Sequence, residues 1–476
     1  MFHRLSVKKP SEFNFKMMAA LVSLLFIAAG CSHIKTSNQS PKNVILLIAD
    51  GMGPAHIKAY RIFNDDPSTP GVDPMLFDPL LVGTLSTDNH IGHSMAVNNS
   101  GSQNLNNSSD THYQVTDSAA SATAYSAGIK SYNGAIAVDN NKAPVPTVLE
   151  VAKQKGLNTG LVATSQIVHA TPAAFIAHEP SRRNYNNIAD QFLDNTYNNQ
   201  PMVDVFLGGG WQYFKRDDRD LTLELEQQGF DVITQSSELK TAGDKVAGLF
   251  ADIGLPRVLQ RTEKHPSLAE MTNAAINRLE QGNDDKGFFL MVEGSQIDWA
   301  SHDNNVAGMM HEMDDFASAI KAAVSYAEKD GDTLVLVTAD HETGGLSVGA
   351  RVEDRDYYQF NVHPIKRMKQ SLPDYAEQVM QENSIEIFLS DLGITLTELE
   401  SKQWAQLQGR DDKRQIYGFL KNTVNRASFA GWTTHGHTGV DVNLYAYGVG
   451  AEQFYGHHDN TFIGQKLLNW LNNLSE

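Results

Sequence analysis

Six short apolar runs punctuate the chain: NVILLIAD (43–50), TGLVATS (159–165), VDVFLGGG (203–210), GFFLMVEG (287–294), DTLVLVTAD (332–340) and NLYAYGVG (443–450). Each is nearly continuous rather than alternating, and amphipathic segments separate them. Runs of this kind mark strands covered on both faces, so the pattern predicts an α/β fold with a mainly parallel central sheet and helices on both sides. FIGQKLLNWLNNL (462–474) carries apolar residues at 462, 463, 467, 470, 471 and 474, a spacing that predicts a closing helix.

Two stretches break the alternation. Residues 89–115, rich in Asn, Ser and Gly, predict a long polar loop insertion. Residues 350–430, with many charges and mixed helical patterning, predict an inserted subdomain. A chain of 476 residues accommodates one large α/β unit with such insertions, or two domains.

The first 31 residues read as an export signal. Arg4, Lys8, Lys9 and Lys16 precede an apolar run at 17–29, too short to span a bilayer comfortably, and then Gly30-Cys31. The order resembles a bacterial lipoprotein signal, which implies lipidation of Cys31 and, from Ser32, the outer membrane. Ala28 stands where that pattern has Leu, so plain secretion to the periplasm stays open. Residues 32–41 (SHIKTSNQSP) read as a polar tether. Cys31 is the one cysteine, so the mature chain forms no internal disulfide, and its stability must come from core packing and bound metal.

Apolar residues make up 41% and charged residues 20%, as in globular proteins. The net charge of −18 repels nucleic-acid backbones and anionic lipid, which argues against a nucleic-acid binder. Membrane contact is then expected only through a lipid anchor.

The chemistry lies at the strand ends. Asp50, Glu293 and Asp340 each end an apolar run, and open parallel sheets bind ligands at the carboxyl ends of their strands. His341 follows Asp340 directly. Asp298 and His302 stand four apart, on one helical face, and His437 lies in THGHTG. Imidazole with carboxylate suits Zn²⁺, an all-oxygen set suits Mg²⁺, and acidic ligands around two or three ions suit phosphoryl transfer. TDSAASATAYSAG (116–128) is small at eleven of its thirteen positions. Thr116-Asp117 predicts a helix start with Ser118 in the first turn, where free N–H groups favour an anion.

Seven blocks, DGMG (50–53), TDSAASAT (116–123), HATPAAF (169–175), AHEPSR (177–182), VEGSQIDWASH (292–302), TADHETGG (338–345) and HTG (437–439), together resemble the alkaline phosphatase family in content and order. The resemblance implies a catalytic domain over 42–476 that hydrolyses phosphate monoesters through a phosphoserine at Ser118. It implies one Zn²⁺ held by Asp50, Asp340 and His341 and shared with Ser118, and a second held by Asp298, His302 and His437. Mg²⁺ would be held by Asp50, Thr171 and Glu293. Arg182 would clamp the phosphate, with Asp117 orienting its guanidinium.

Two positions vary across the family. His169 stands where one bacterial branch has Asp, which leaves Zn²⁺ able to compete for the third site. Trp299 stands where that branch has Lys, which implies weaker retention of phosphate. A phosphodiesterase or sulfatase shares the metal core, but Ser118 with Arg182 argues against both. A non-catalytic phosphate- or metal-binding lipoprotein has no use for Ser118. Homodimers are common in the family.

Overall fold

The computed structural model describes residues 40–89, 115–281 and 286–474. The export signal with Cys31, most of the tether and nearly all of the 89–115 insertion lie outside the described residues.

Ten strands form one sheet: β1 (Asn43–Ala49), β2 (Leu81–Ser86), β3 (Asn158–Gln166), β4 (Val205–Gly209), β5 (Asp231–Ile233), β6 (Val246–Leu249), β7 (Phe288–Gly294), β8 (Thr333–Ala339), β9 (Val442–Gly448) and β10 (Gly456–Asp459). They lie in the order β10-β2-β9-β8-β1-β7-β3-β4-β6-β5. From β8 through β5 every neighbouring pair is parallel. The NLYAYGVG run becomes β9 and runs antiparallel to both β8 and β2. Every residue of β1, β7 and β8 is buried, as continuous apolar runs require.

The helices that position the site are α1 (Ser118–Ala127), α2 (Val148–Gln154), α3 (Ala170–Ile176), α4 (Tyr185–Asp194), α5 (Gln296–His302), α6 (Val306–Asp330), α7 (Lys413–Ser428) and α8 (Thr461–Asn472). The predicted closing helix is α8, which packs on α1 and α2. Among the described residues no helix is long and apolar enough to cross a membrane.

Register sets the chemistry. Ala49 of β1 pairs with Ala339 on one side and Gly294 on the other, and Glu293 pairs with both Ile48 and Ala163. Asp50 and Asp340 therefore leave adjacent strands side by side, with Glu293 two positions back on the third.

Ser347–Val348 pairs antiparallel with Ala430–Gly431, and residues 349–429 lie between these arms. They form a hairpin (Ala350–Val352 with Arg355–Tyr357), helices His363–Lys366, Leu372–Glu382, Glu386–Leu392 and Glu398–Leu407, and then α7. From α7, Lys421 Nζ donates to Asp303 Oδ1 (3.0 Å), and Asn425 Nδ2 donates to the Asn304 carbonyl (2.7 Å). The segment thus grips the turn directly after His302. On the return, Glu342–Thr343 pairs with His437–Thr438 and brings His437 to the strand ends.

Candidate active site

Asp117 caps α1 by accepting from the Ala120 N–H (2.9 Å), which places Ser118 at the first helical position. Thr116 lies outside the cap, and its carbonyl faces His437 Nδ1 at 2.8 Å. Every residue of α1 is buried, between α3 and α8. Its small residues permit this enclosure: a Cβ on Gly464 of α8 would stand 2.6 Å from the Ala124 carbonyl oxygen. On the sheet side, Ser121 Oγ donates to the Asp340 carbonyl (2.8 Å) and Tyr125 OH to the Ala339 carbonyl (2.6 Å). The bare segment is thus a helix locked to the end of β8, with Ser118 held over the strand ends.

Ser118 Oγ stands 3.2 Å from His341 Nε2 and 3.5 Å from Asp50 Oδ1. That same His341 Nε2 lies 3.4 Å from Asp50 Oδ1 and 3.2 Å from Asp340 Oδ2. Asp50, Glu293, Asp340 and His341 are all 0% exposed. Gly51 takes a left-handed φ of +81°, and a Cβ there would meet the Asp298 Cα at 2.8 Å. The glycine therefore lets the turn after β1 approach α5.

Three donor sets converge here, each with ligand atoms within 4.8 Å of one another: Asp298, His302 and His437; Asp50, Asp298 and His341; and Asp50, His169 and Glu293. His302 Nδ1 lies against the His435 carbonyl (2.5 Å) and His437 Nδ1 against that of Thr116. Each ring thus turns Nδ1 to a carbonyl, and the two Nε2 atoms face each other 3.1 Å apart beside Asp298 Oδ1, converging on one point where a cation could sit.

The carboxylates are half-satisfied in the same direction. Asp340 Oδ1 accepts from the Gly51 and His341 N–H groups (both 3.0 Å), while its Oδ2 faces His341 Nε2 at 3.2 Å. Glu293 Oε2 accepts from Ser295 Oγ (2.6 Å) and Ser165 Oγ (3.2 Å), while its Oε1 has none. Asp50 Oδ2 and Thr171 Oγ1 are likewise buried without partners. Orphaned oxygens and converging imidazole nitrogens fit divalent ions.

The electrostatics agree. Burial, with Asp340, Asp298 and Glu293 nearby, raises Asp50 well above the carboxylate range. Burial also lifts Glu293, to about 7. Asp340 is held low against its burial by His341, and Asp298 by His302 and His437. Burial, with His341 alongside, lowers His437 to about 4 and so keeps it neutral.

Arg182, 5% exposed, donates from Nη1 to Asp117 Oδ2 (3.0 Å). Its Nη2 donates to His169 Nε2 (3.0 Å), and its Nε has no partner. Burial and Arg182 push His169 down to about 3, so the ring is neutral and accepts. Trp299 stands edge-on to His169, with ring centroids 5.8 Å apart. A Cβ on Gly254 would come 2.6 Å from the indole, so Trp299 is also packed.

All thirteen residues singled out from the sequence meet in this region. Several supporting residues escaped that reading. Thr343 Oγ1 donates to Asp298 Oδ1 (2.5 Å) and stands 3.2 Å from His341 Nδ1, joining two donor sets. Ser295 and Ser165 hold Glu293, and Asn133 Oδ1 accepts from the Asp117 N–H (2.9 Å). Thr343 and Ser295 sit inside the recognised blocks, two residues from a carboxylate or imidazole. That adjacency was the available signal.

A serine at a helix N-terminus, over carboxylates and imidazoles gathered at the carboxyl ends of parallel strands, defines a metal-dependent hydrolase. A family model described as alkaline phosphatase matches residues 41–473. Alkaline phosphatase 3 of Bacillus subtilis is 45% identical over 447 residues, covering 92% of this chain and 91% of the relative. The crystal structure of a cold-active alkaline phosphatase from a psychrophilic Shewanella sp. superposes with a TM-score of 0.79 at 40% identity, covering 90% of this chain and 99% of that one. A variant of TAB5 alkaline phosphatase, solved with Mg bound in its M3 site, superposes with a TM-score of 0.64 at 29% identity, over 92% of this chain and 99% of that one. The chain belongs to the alkaline phosphatase family, and is an enzyme whose substrates are phosphate monoesters.

Proposed function

We propose that the chain converts phosphate monoesters to alcohol and inorganic phosphate through a phosphoserine at Ser118, with two Zn²⁺ and one Mg²⁺. The observation that carries the reading is Ser118 Oγ, 3.2 Å from His341 Nε2, amid buried donor atoms that lack partners. Asp50, Asp340 and His341 would hold one Zn²⁺, and Asp298, His302 and His437 the other. Asp50, Thr171 and Glu293 would form the oxygen-rich set for Mg²⁺; the TAB5 variant with Mg in its M3 site has Glu in place of a His. Bound there, such ions supply Lewis acidity for the serine alkoxide, the departing alcohol and the attacking water.

Ser118 Oγ attacks phosphorus in line as the bond to the alcohol oxygen breaks. Water then attacks the phosphoserine, the bond from phosphorus to Oγ breaks, and Ser118 returns. Arg182, already tied to Asp117 beside the nucleophile, directs its remaining N–H groups to two phosphoryl oxygens, which a planar guanidinium matches better than an ammonium.

Acid quenching of the turning-over enzyme is expected to trap phosphate on the peptide containing Ser118, and monoesters should outpace diesters and sulfate esters. Absence of the trapped peptide, or a preference for either other ester, refutes the reading. Trp299, an apolar wall beside His169, is assigned to easing phosphate release. Trp299→Lys should lower the inhibition constant for inorganic phosphate about tenfold, by adding a cation at the pocket; an unchanged constant rules this out. We place the enzyme outside the cytoplasm, as a periplasmic protein or one anchored through Cys31. We assign residues 350–430 as an inserted subdomain.

A further inference from the structure

His178 lies four residues before Arg182 and belongs to no donor set. It is largely buried, and its ring is bracketed by acceptors. Nδ1 lies 2.9 Å from the Ala137 carbonyl and Nε2 lies 2.8 Å from Glu150 Oε1. Neither partner has a proton to give. Glu150, on α2, already accepts from Asn195 Nδ2 (2.7 Å) and from the Thr147 N–H (2.9 Å). Both ring nitrogens must therefore carry protons, and the side chain is an imidazolium. Its backbone N–H donates to Gln191 Oε1 of α4 (2.7 Å).

This cation sits at one end of a seam. Residues 134–137 and 178–182 are joined by paired backbone hydrogen bonds between Ile136 and Glu179 (2.9 Å each), and the Arg182 N–H donates to the Gly134 carbonyl (2.8 Å). At the other end, Asn133 holds the Asp117 backbone, and Asp117 holds the Arg182 guanidinium. The seam thus connects His178 to the Gly134 carbonyl that holds the Arg182 backbone and, through Asn133, to the Asp117 that holds its guanidinium. Ala137, whose carbonyl meets the ring, has a left-handed φ of 41°, strained for a residue with a side chain. The other titratable groups at the seam do not oppose the charge. Glu179 is bonded to Asn184 and Gln191, and Tyr132 OH donates to the Pro180 carbonyl.

We propose that His178 is a positioning residue for phosphate: as an imidazolium it closes the seam that aims Arg182, and on losing its proton it opens the seam and weakens the hold on inorganic phosphate. The inference rests on the reading of Arg182 as the phosphate clamp. A neutral ring would turn one lone pair onto a carbonyl or a carboxylate, so one of the two bonds becomes a repulsion. Although burial opposes the charge, Glu150 and the Ala137 carbonyl raise the histidine above its ordinary range. Glu150 is correspondingly held low by His178, again against its burial. The sign follows. A raised histidine contributes fully below the ordinary histidine range, and the contribution is lost as pH rises through the raised value. Product release then eases toward alkaline pH.

The test is calorimetric titration of inorganic phosphate into the metal-loaded enzyme from about pH 6 to 10, a span that brackets a raised histidine. His178→Gln should bind phosphate about tenfold more weakly than wild type at the acidic end, the scale of one lost charge-assisted hydrogen bond. The two affinities should converge at the alkaline end. A wild-type to variant ratio that is constant with pH overturns the proposal, because a purely structural loss carries no such dependence. Glu150→Gln keeps the histidine but removes its counter-charge, so the alkaline fall in phosphate affinity should move to lower pH by about one unit; an unmoved fall also overturns it. Arg182→Lys separates the two readings. Unchanged phosphate affinity in that variant defeats the clamp itself, whereas loss there with a wild-type profile in His178→Gln defeats only the role of His178.

Discussion

Ser118→Ala should release phosphate from p-nitrophenyl phosphate at least about a thousandfold more slowly than the parent enzyme, a conservative figure for removal of a nucleophile. The fold should survive. The cap of α1 comes from Asp117, and the helix is tied to β8 by Ser121 and Tyr125, so the missing hydroxyl leaves no buried group newly unpartnered except those facing the ions. An unchanged thermal midpoint with lost turnover identifies the role as chemical. A variant that retains its rate removes Ser118 from the mechanism, and with it the phosphoserine.

Stripping the ions with a chelator is the second large effect. Activity should vanish and the thermal midpoint should fall by several degrees, both returning when Zn²⁺ and Mg²⁺ are restored. A site filled at a thousand times its dissociation constant stabilises the fold by about 4 kcal/mol, and this chain gathers donors for more than one. The stripped protein also acquires a pH dependence of its own. Glu293 is raised to about 7 by burial, so the folded chain keeps a proton that the unfolded chain releases. Its stability should therefore fall as pH rises from the ordinary carboxylate range through about 7. Calorimetric scans of the stripped and reloaded enzyme check both points. If midpoint and rate are indifferent to the chelator, the donor sets are a hydrogen-bonded network and the metal reading fails.

Much of this was visible in the residues because burial on two faces leaves a plain mark. The runs that became β1, β7 and β8 are continuous for the same reason that their ends can hold carboxylates away from water. The edge strands leave no such mark. β5 has three residues, and β10 reads GHHD with most of its length exposed. The direction of β9 is hidden too, because a strand's apolar content is the same whichever way it runs. At the site, ligand types and order could be read from the blocks, whereas the hydroxyl of Thr343 and the ring contacts of His178 depend on rotamers and on chain segments far away in sequence. The packing of residues 350–430 onto the turn after His302 was invisible for a similar reason: charged helical patterning shows that a face is solvated, not which loop the other face will grip.

The packing of α8 behind Ser118 has a consequence for when activity begins. Asn460, at the start of α8, donates to Ser121 from 339 positions further along the polypeptide, and Gln465 reaches back 337 positions to Gly128. A nascent chain that has emerged only as far as its serine has neither this support nor the histidine near residue 437. An intermediate still held on the ribosome is consequently expected to be inert, with hydrolysis beginning only after nearly the whole polypeptide has emerged and folded.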